Sequence, residues 1–210
     1  MNNIKRALIS VWDKTGIEEL AQFLNTNNIE IISTGGTKSA IEKTGIPVIS
    51  VSDIINQKEI MDGRVKTLHP SLFGGILADR ENKSHLLDLA SINSLEIDLV
   101  VINLYPFESE AVENKLDLEK AIENIDIGGP SMLRAAAKNF KNVIPLCNPR
   151  QYSSFILSYK NNNGLWDSGD LKTKTLPEIT FSYPEEIELR KNWDIILNWN
   201  LITNDSTDHK

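Results

Sequence analysis

The first 51 residues alternate short apolar runs with segments of helical periodicity, and this alternation constrains the fold more than any other feature of the chain. We predict strands at residues 7–11, 29–32 and 48–51, because each is a short run rich in Ile, Leu or Val. Residues 17–25 and 37–44 are predicted as helices between them. A β-α-β-α-β order requires parallel strands with right-handed crossovers. We therefore predict an α/β protein with a parallel central sheet flanked by helices, in a Rossmann-like three-layer arrangement.

The remaining chain continues this pattern up to residue 160 and then changes character. A long irregular section at 52–72 is followed by a strand-like segment at 73–78, helices at 83–94, 116–124, 131–139 and 152–159, and strands at 99–102 and 143–146. Pro130 is predicted as the first residue of its helix, because proline is tolerated there. We predict one compact unit at residues 1–160 and a divergent tail at 161–210, with an amphipathic stretch at 185–201.

Composition excludes several classes of function. A net charge of -7 argues against nucleic acid or an anionic membrane as a partner. We find no signal peptide and no apolar run long enough to span a bilayer. The lone Cys147 cannot form an internal disulfide, which fits a reducing cytoplasm, and we interpret it as a core residue rather than a nucleophile. Widely spaced His69, His85 and His209 make no metal-ligand pattern.

A basic segment at residues 63–70 interrupts this acidic chain. Arg64 and Lys66 are two residues apart, so in an extended segment their side chains leave on the same side. Gly63 permits close approach of the backbone, and Thr67 adds a hydroxyl donor. The segment is interpreted either as a site for an anion such as phosphate or as an exposed loop with two solvated cations.

Further polar residues follow the predicted strands, at the sheet edge where ligands of parallel α/β proteins bind. They are Ser10, Asp13 and Lys14 after the first strand, Thr34, Gly35, Gly36 and Thr37 after the second, Asn103 and Tyr105 after residues 99–102, and Asp126, Ile127, Gly128 and Gly129 before a helix. A Gly-Gly turn by itself is usually structural. Four such loops on one edge predict a common binding site.

Asp126 and the predicted helix 131–139 form a second cluster. Arg134 and Lys138 are four residues apart and share a helix face with Ser131. One interpretation is a solvated basic face near the end of a helix, where cations are favoured. The other is a carboxylate–amine pair of Asp126 and Lys138 that transfers protons.

Five ordered motifs together resemble the IMP cyclohydrolase domain of the bifunctional purine-biosynthesis proteins, over about residues 4–155. The motifs are Ser-Val-Trp-Asp-Lys-Thr-Gly at 10–16, Ser-Thr-Gly-Gly-Thr at 33–37, Gly-Arg-Val-Lys-Thr-Leu-His-Pro at 63–70, Asn-Leu-Tyr-Pro-Phe at 103–107, and Ile-Asp-Ile-Gly-Gly-Pro at 125–130 leading to Arg-Ala-Ala-Ala-Lys-Asn at 134–139. The resemblance implies a methylglyoxal-synthase-like fold, usually in a homodimer. It also implies ring closure of 5-formamidoimidazole-4-carboxamide ribonucleotide to IMP, with no metal or organic cofactor.

The resemblance assigns roles to individual residues. For the phosphate it implies Ser10, Lys14, Thr34, Gly35, Gly36 and Thr37; for the base and ribose Arg64, Lys66, Thr67 and Asn103, with Ile127 and Gly128 as further substrate contacts. Lys138 and Asp126 resemble the acid/base pair of the family. Lys66 and Tyr105 would stabilise the oxygen charge that develops during ring closure.

Two departures from the family pattern keep other functions open. Trp12 stands where the family more commonly has a small polar residue. Residues 161–210 do not resemble the region that follows in the family, so we expect no transformylase activity in this chain and leave room for a separate formyltransferase partner. The alternatives are a catalytically idle nucleotide-binding or regulatory module and a methylglyoxal synthase. An acid/base set favours the cyclohydrolase.

Overall fold

Short apolar strands form the centre of the fold in the computed structural model, which describes residues 2–161 and 165–166. The strands are β1 Asn2–Asn3, β2 Arg6–Ile9, β3 Glu30–Ser33, β4 Ile49–Ser50, β5 Leu99–Val101, β6 Ile144–Leu146 and β7 Leu165–Trp166. Five of them make a parallel sheet in the order β4-β3-β2-β5-β6. β1 and β7 pair separately and antiparallel. The predicted parallel sheet is confirmed.

Helices cover both faces of the sheet. They are α1 Ile17–Thr26, α2 Gly35–Glu42, α3 Val51–Ile55, α4 Pro70–Leu77, α5 Lys83–Ser91, α6 Leu118–Glu123, α7 Gly128–Lys138 and α8 Gln151–Asn161, with a π-helical turn at Glu108–Glu113. On one face, α1, α2 and α8 pack against Ala7 and Ile9 of β2. On the other, α3, α4 and α7 pack against Leu8. Successive residues of β2 therefore serve opposite cores, as strand geometry requires.

Three predictions of secondary structure are wrong. Residues 73–78 were expected as a strand, but residues 73–77 belong to helix α4, which begins at Pro70 with the His69 ring as its cap, and Ala78 follows the helix end. The helix predicted to begin at Pro130 begins instead at Gly128. Val51 was assigned to a strand and starts α3, a helix within the section expected to be irregular.

The predicted division at residue 160 stays a prediction. β7 lies beyond that boundary and pairs with β1, so the described chain returns to its own start after α8. The predicted amphipathic stretch 185–201 lies outside the described residues. No helix in the described part of the chain is both long and apolar enough to cross a membrane.

Candidate active site

The loop after β2 is held by the side chain of Asn103, which follows β5. Asn103 Oδ1 accepts from the backbone N–H groups of Trp12 (2.7 Å) and Asp13 (2.9 Å), and its Nδ2 donates to the carbonyl of Asp13 (2.7 Å). Its amide therefore joins two strand-end loops across the sheet edge. The Asp13 carboxylate accepts from the backbone N–H of Thr15 at 2.9 Å. Hydrogen bonds from Thr15 lower the pKa of Asp13.

The start of α2 forms the second part of the site. β3 ends at Ser33, and Gly35 turns the chain into the helix with a positive φ of 54°. Thr37 is buried, and its hydroxyl donates to the carbonyl of Val11 (2.9 Å) and accepts from its N–H (3.1 Å). Thr37 thus fixes α2 to the loop after β2. The first N–H groups of a helix point along its axis and attract anions.

Two lysines lie against this helix start. Lys66 Nζ is 3.4 Å from the position that a Cβ would take at Gly35, and Lys14 Cε is 3.9 Å from the same position at Gly36. Lys66 comes from the basic segment 63–70 and Lys14 from the loop after β2. The helix start and the two cations together make a site suited to a phosphate group.

Carboxylates already pair with the cations of the basic segment. Glu59 contacts Lys66 Nζ at 2.8 Å, and Glu123 at the end of α6 contacts Arg64. The hydrogen bond to Glu123, reinforced by its charge, raises the pKa of Arg64. Arg64 therefore faces α6, whereas Lys66 faces α2. Sequence reasoning missed both glutamates, because neither belongs to a motif and their pairing depends on the folded loop.

Thr67 connects the basic segment to the start of α7. A Cβ at Gly128 would lie 2.6 Å from Thr67 Oγ1, so the threonine sits directly on that glycine. Asp126 caps the same helix start, since its Oδ1 accepts from the backbone N–H of Gly129 at 2.9 Å. Residues 66 and 67 thus lie at the starts of two different helices.

A cavity of about 380 Å³ lies beside this helix start. Its lining residues are Leu104, Tyr105, Phe107, Asn124, Ile125, Asp126 and Pro130. Two of the predicted catalytic residues, Tyr105 and Asp126, therefore share one mainly apolar cavity. The Tyr105 ring also contacts that of Trp12, with centroids 5.9 Å apart and an interplanar angle of 80°.

Lys138 lies away from these residues within one chain. It is the last residue of α7, and Asp126 precedes the first. At 1.5 Å per residue, the ends of this helix are about 15 Å apart along its axis. The structure does not bring Asp126 and Lys138 together in a single protomer.

The remaining predicted residues occupy the same sheet edge. Ser10 directly follows β2, and its N–H donates to the carbonyl of Val101 at 2.9 Å. Thr34 is the N-terminal cap residue of α2, and the exposed Ile127 holds the corresponding position before α7. Cys147 is half-buried, and burial raises the pKa of its thiol, which disfavours the nucleophilic thiolate.

The described residues contain no metal-binding cluster, in that no three His, Cys, Asp or Glu side chains lie close enough together to hold an ion. What the geometry defines is an α/β domain in which one basic segment joins two helix starts, with an apolar cavity beside one of them. Residues 16–131 match the model of the MGS-like domain, and the chain belongs to that family.

Similar proteins extend this finding. Over 164 residues the chain is 52% identical to the bifunctional purine biosynthesis protein PurH of Leptospira biflexa serovar Patoc, covering 78% of this chain and 32% of that relative. The PurH of Ruminiclostridium cellulolyticum is 50% identical over 172 residues, which cover 82% of this chain and 32% of that relative. A crystal structure of ForH matches with a TM-score of 0.67 and 37% identity, covering 77% of this chain and 83% of that one.

These comparisons confirm the resemblance to the bifunctional purine-biosynthesis proteins and the MGS-like fold. The chain spans about a third of the length of the curated PurH relatives that it matches.

Proposed function

We propose that the protein is an IMP cyclohydrolase that closes the ring of 5-formamidoimidazole-4-carboxamide ribonucleotide with loss of water, and that it acts in the cytoplasm. The observation that carries the proposal is the placement of the basic segment: Lys66 lies at the start of α2 and Thr67 at the start of α7, beside Asp126. The similarity to bifunctional purine biosynthesis proteins supports the same assignment.

The phosphate of the nucleotide would bind at the start of α2. Lys66 and Lys14 provide positive charge there, and Thr34, Gly35 and Gly36 provide backbone donors. The incoming phosphate would take Lys66 from Glu59, since that ion pair is partly exposed. The heterocycle would then extend toward the cavity lined by Tyr105 and Asp126.

Ring closure needs positioning and proton transfer. The carboxamide nitrogen of the substrate is a poor nucleophile that must attack a formyl carbon of the same molecule, so holding the two groups in contact supplies much of the rate. A base takes the amide proton, and an acid helps the formyl oxygen leave as water. We assign these roles to Asp126 and Lys138, and assign stabilisation of the developing oxygen charge to Tyr105. Lys66 was predicted to share that role, but its Nζ lies at the start of α2, so we assign it to the phosphate instead.

A homodimer would reconcile these roles with the length of α7. Asp126 and Lys138 lie at opposite ends of that helix, so Lys138 of a second copy would complete the pair. Exposed apolar side chains surround the cavity, which supports a protein partner at this surface. They are Leu104, Phe107 and Ile125, which line it, and Ile127, which follows Asp126.

The test is an ultraviolet assay of IMP formation from the formamido ribonucleotide. We expect turnover well above the spontaneous rate, and in the Lys138→Ala variant a loss of about 10²- to 10⁴-fold with IMP binding retained, as removal of a proton-transfer group predicts. Lys83→Ala, an exposed lysine at the start of α5, is the matched control and should keep wild-type turnover. Near-normal turnover in Lys138→Ala would remove Lys138 from catalysis.

A catalytically idle nucleotide-binding module is the second candidate. It is favoured by the separation of Asp126 and Lys138 and by the ion pairs that occupy Arg64 and Lys66 in this structure. Such a module would bind IMP, measured by calorimetry, and would show no rate above background in the ultraviolet assay. Rate and binding measured on one preparation separate the two candidates.

A further inference from the structure

Trp12 is a large aromatic residue at the edge of the candidate site, and hydrogen bonds hold its backbone. It is 46% exposed. Its backbone N–H donates to Asn103 Oδ1 at 2.7 Å, and its carbonyl accepts from Lys14 Nζ at 3.1 Å. The backbone of Trp12 is therefore anchored on both sides, so the loop itself does not have to become ordered when the indole contacts a ligand.

The indole of Trp12 contacts one aromatic ring, in a geometry that leaves room for a second planar group. Trp12 and Tyr105 meet nearly perpendicularly, at 80° and 5.9 Å between centroids. An edge-to-face contact of this kind uses one face of one ring and the edge of the other. A third planar group can stack on a remaining face.

Trp12 also lies between the two parts of the proposed nucleotide site. Lys14, which bonds its carbonyl, lies over Gly36 at the start of α2, where we place the phosphate. Tyr105, which contacts its ring, lines the cavity where we place the heterocycle. A nucleotide bound with its phosphate at α2 and its ring toward the cavity would pass beside the indole.

We propose that Trp12 determines specificity by stacking on the heterocyclic ring of a purine mononucleotide. The inference rests on the proposed function and deepens it, because it names the part of the ligand that this side chain recognises. Base stacking on an aromatic residue is sequence-tolerant and favourable, and it gives nothing to a phosphosugar that lacks a base. Trp12 therefore favours nucleotides over sugar phosphates at the same anion site.

The experiment compares binding of IMP and of ribose 5-phosphate to the full chain by calorimetry, in wild type, Trp12→Ser and Trp12→Phe. We expect Trp12→Ser to weaken IMP binding about tenfold and to leave the affinity for ribose 5-phosphate unchanged. Trp12→Phe keeps a ring and should stay within about threefold of wild type for IMP. Leu87→Ser, another change from an exposed apolar side chain to serine, lies in α5 and should alter neither affinity.

A spectroscopic readout accompanies the affinities. IMP should quench part of the tryptophan fluorescence of wild type, and the quenching should disappear in Trp12→Phe, which retains the other three of the four tryptophans. The thermal melting curve of each variant shows that it is folded, and Trp12→Phe keeps the test valid should Trp12→Ser not fold.

Each contrary outcome has a distinct meaning. If Trp12→Ser weakened the affinity for IMP and for ribose 5-phosphate equally, Trp12 would serve only to shape the loop after β2. IMP binding that is unaffected by Trp12→Ser would remove the stacking contact and leave the proposed function intact. Wild-type protein that binds neither ligand would remove the proposed function and this inference together.

Discussion

Two ion pairs at opposite ends of the parallel sheet, Arg80–Asp98 and Lys66–Glu59, differ in burial. At the amino end, Asp98 pairs with Arg80 Nη1 at 2.6 Å, and these side chains are 5% and 16% exposed. Asp98 Oδ2 also accepts from the backbone N–H groups of Lys5 and Arg6. At the carboxyl end, Lys66 and Glu59 pair at 2.8 Å with 34% and 54% exposure.

This difference in burial distinguishes an ion pair that stabilises the fold from one that lies at the candidate ligand site. A buried pair whose oxygens are all hydrogen-bonded cannot exchange partners without leaving a charge in a low-dielectric environment. An exposed pair contributes little to stability, so its lysine can turn to an incoming phosphate at low cost. We infer that the Arg80–Asp98 pair fixes the strands at the amino end and that the Lys66–Glu59 pair leaves Lys66 able to exchange partners at the carboxyl end.

The largest expected effect is on the buried pair. Asp98→Asn leaves Arg80 without its counter-charge and should lower the free energy of unfolding by about 3–5 kcal/mol, measured by urea denaturation. Glu123→Gln, which breaks the exposed pair with Arg64, is the matched control and should leave the denaturation midpoint unchanged. Equal effects of the two changes would contradict the contrast between the two ends.

Much of the fold was predictable because its signals are local. The strands and helices of the first 50 residues follow from apolar periodicity, which each segment carries within itself. Helix α4 was missed because its short apolar run with two glycines also suits a strand. Its helical packing depends on tertiary context, since a Cβ at Gly75 would collide with the carbonyl of Leu95.

The candidate site was predictable in part, for the same reason. Lys66, Thr67 and the glycines of α2 and α7 lie in conspicuous motifs, and the structure places them at one sheet edge. The pairing of Glu123 with Arg64 joins segments 59 residues apart, which no local pattern shows. The separation of Asp126 from Lys138 follows from helical rise alone, so that part of the arrangement was already implicit in the predicted helix.

The next effect tests how tightly the carboxyl end is packed. Gly128→Ala would place a methyl group 2.6 Å from Thr67 Oγ1, and we expect a loss of about 1–3 kcal/mol in unfolding free energy together with weaker IMP binding. Gly36→Ala is the matched change at the other helix start, where the added Cβ meets Lys14 Cε at an ordinary 3.9 Å. Its unfolding free energy should be unchanged or slightly higher. A Gly128→Ala variant with wild-type unfolding free energy would show that the residues around this helix start can move to accommodate the added methyl group.

A smaller effect concerns a buried group beneath the loop after β2. Burial, and then the charge of Asp13, raise the pKa of Tyr152 to about 12 from 10.0. The folded state therefore holds the phenol neutral, and its contribution to stability is present below about pH 10 and lost as the pH rises toward 12. Wild type should lose about 1–2 kcal/mol more unfolding free energy than Tyr152→Phe between about pH 9 and pH 12, measured by urea denaturation. Parallel pH profiles would show that Tyr152 ionises freely in the folded protein.

The smallest effect returns to the exchangeable pair. In Glu59→Gln the carboxylate that competes for Lys66 is replaced by a neutral amide of similar size, so an anion at the start of α2 no longer has to displace it. Because an exposed ion pair contributes about 0.2–1 kcal/mol, we expect phosphate and IMP to bind about two- to fivefold more tightly, with unchanged stability. Glu42→Gln breaks the pair with Lys38 inside α2 and serves as the matched control, which should leave both affinities unchanged. Weaker binding in Glu59→Gln would mean that Glu59 positions Lys66 for the ligand, and the carboxyl end would then resemble the amino end in using a carboxylate to fix a cation.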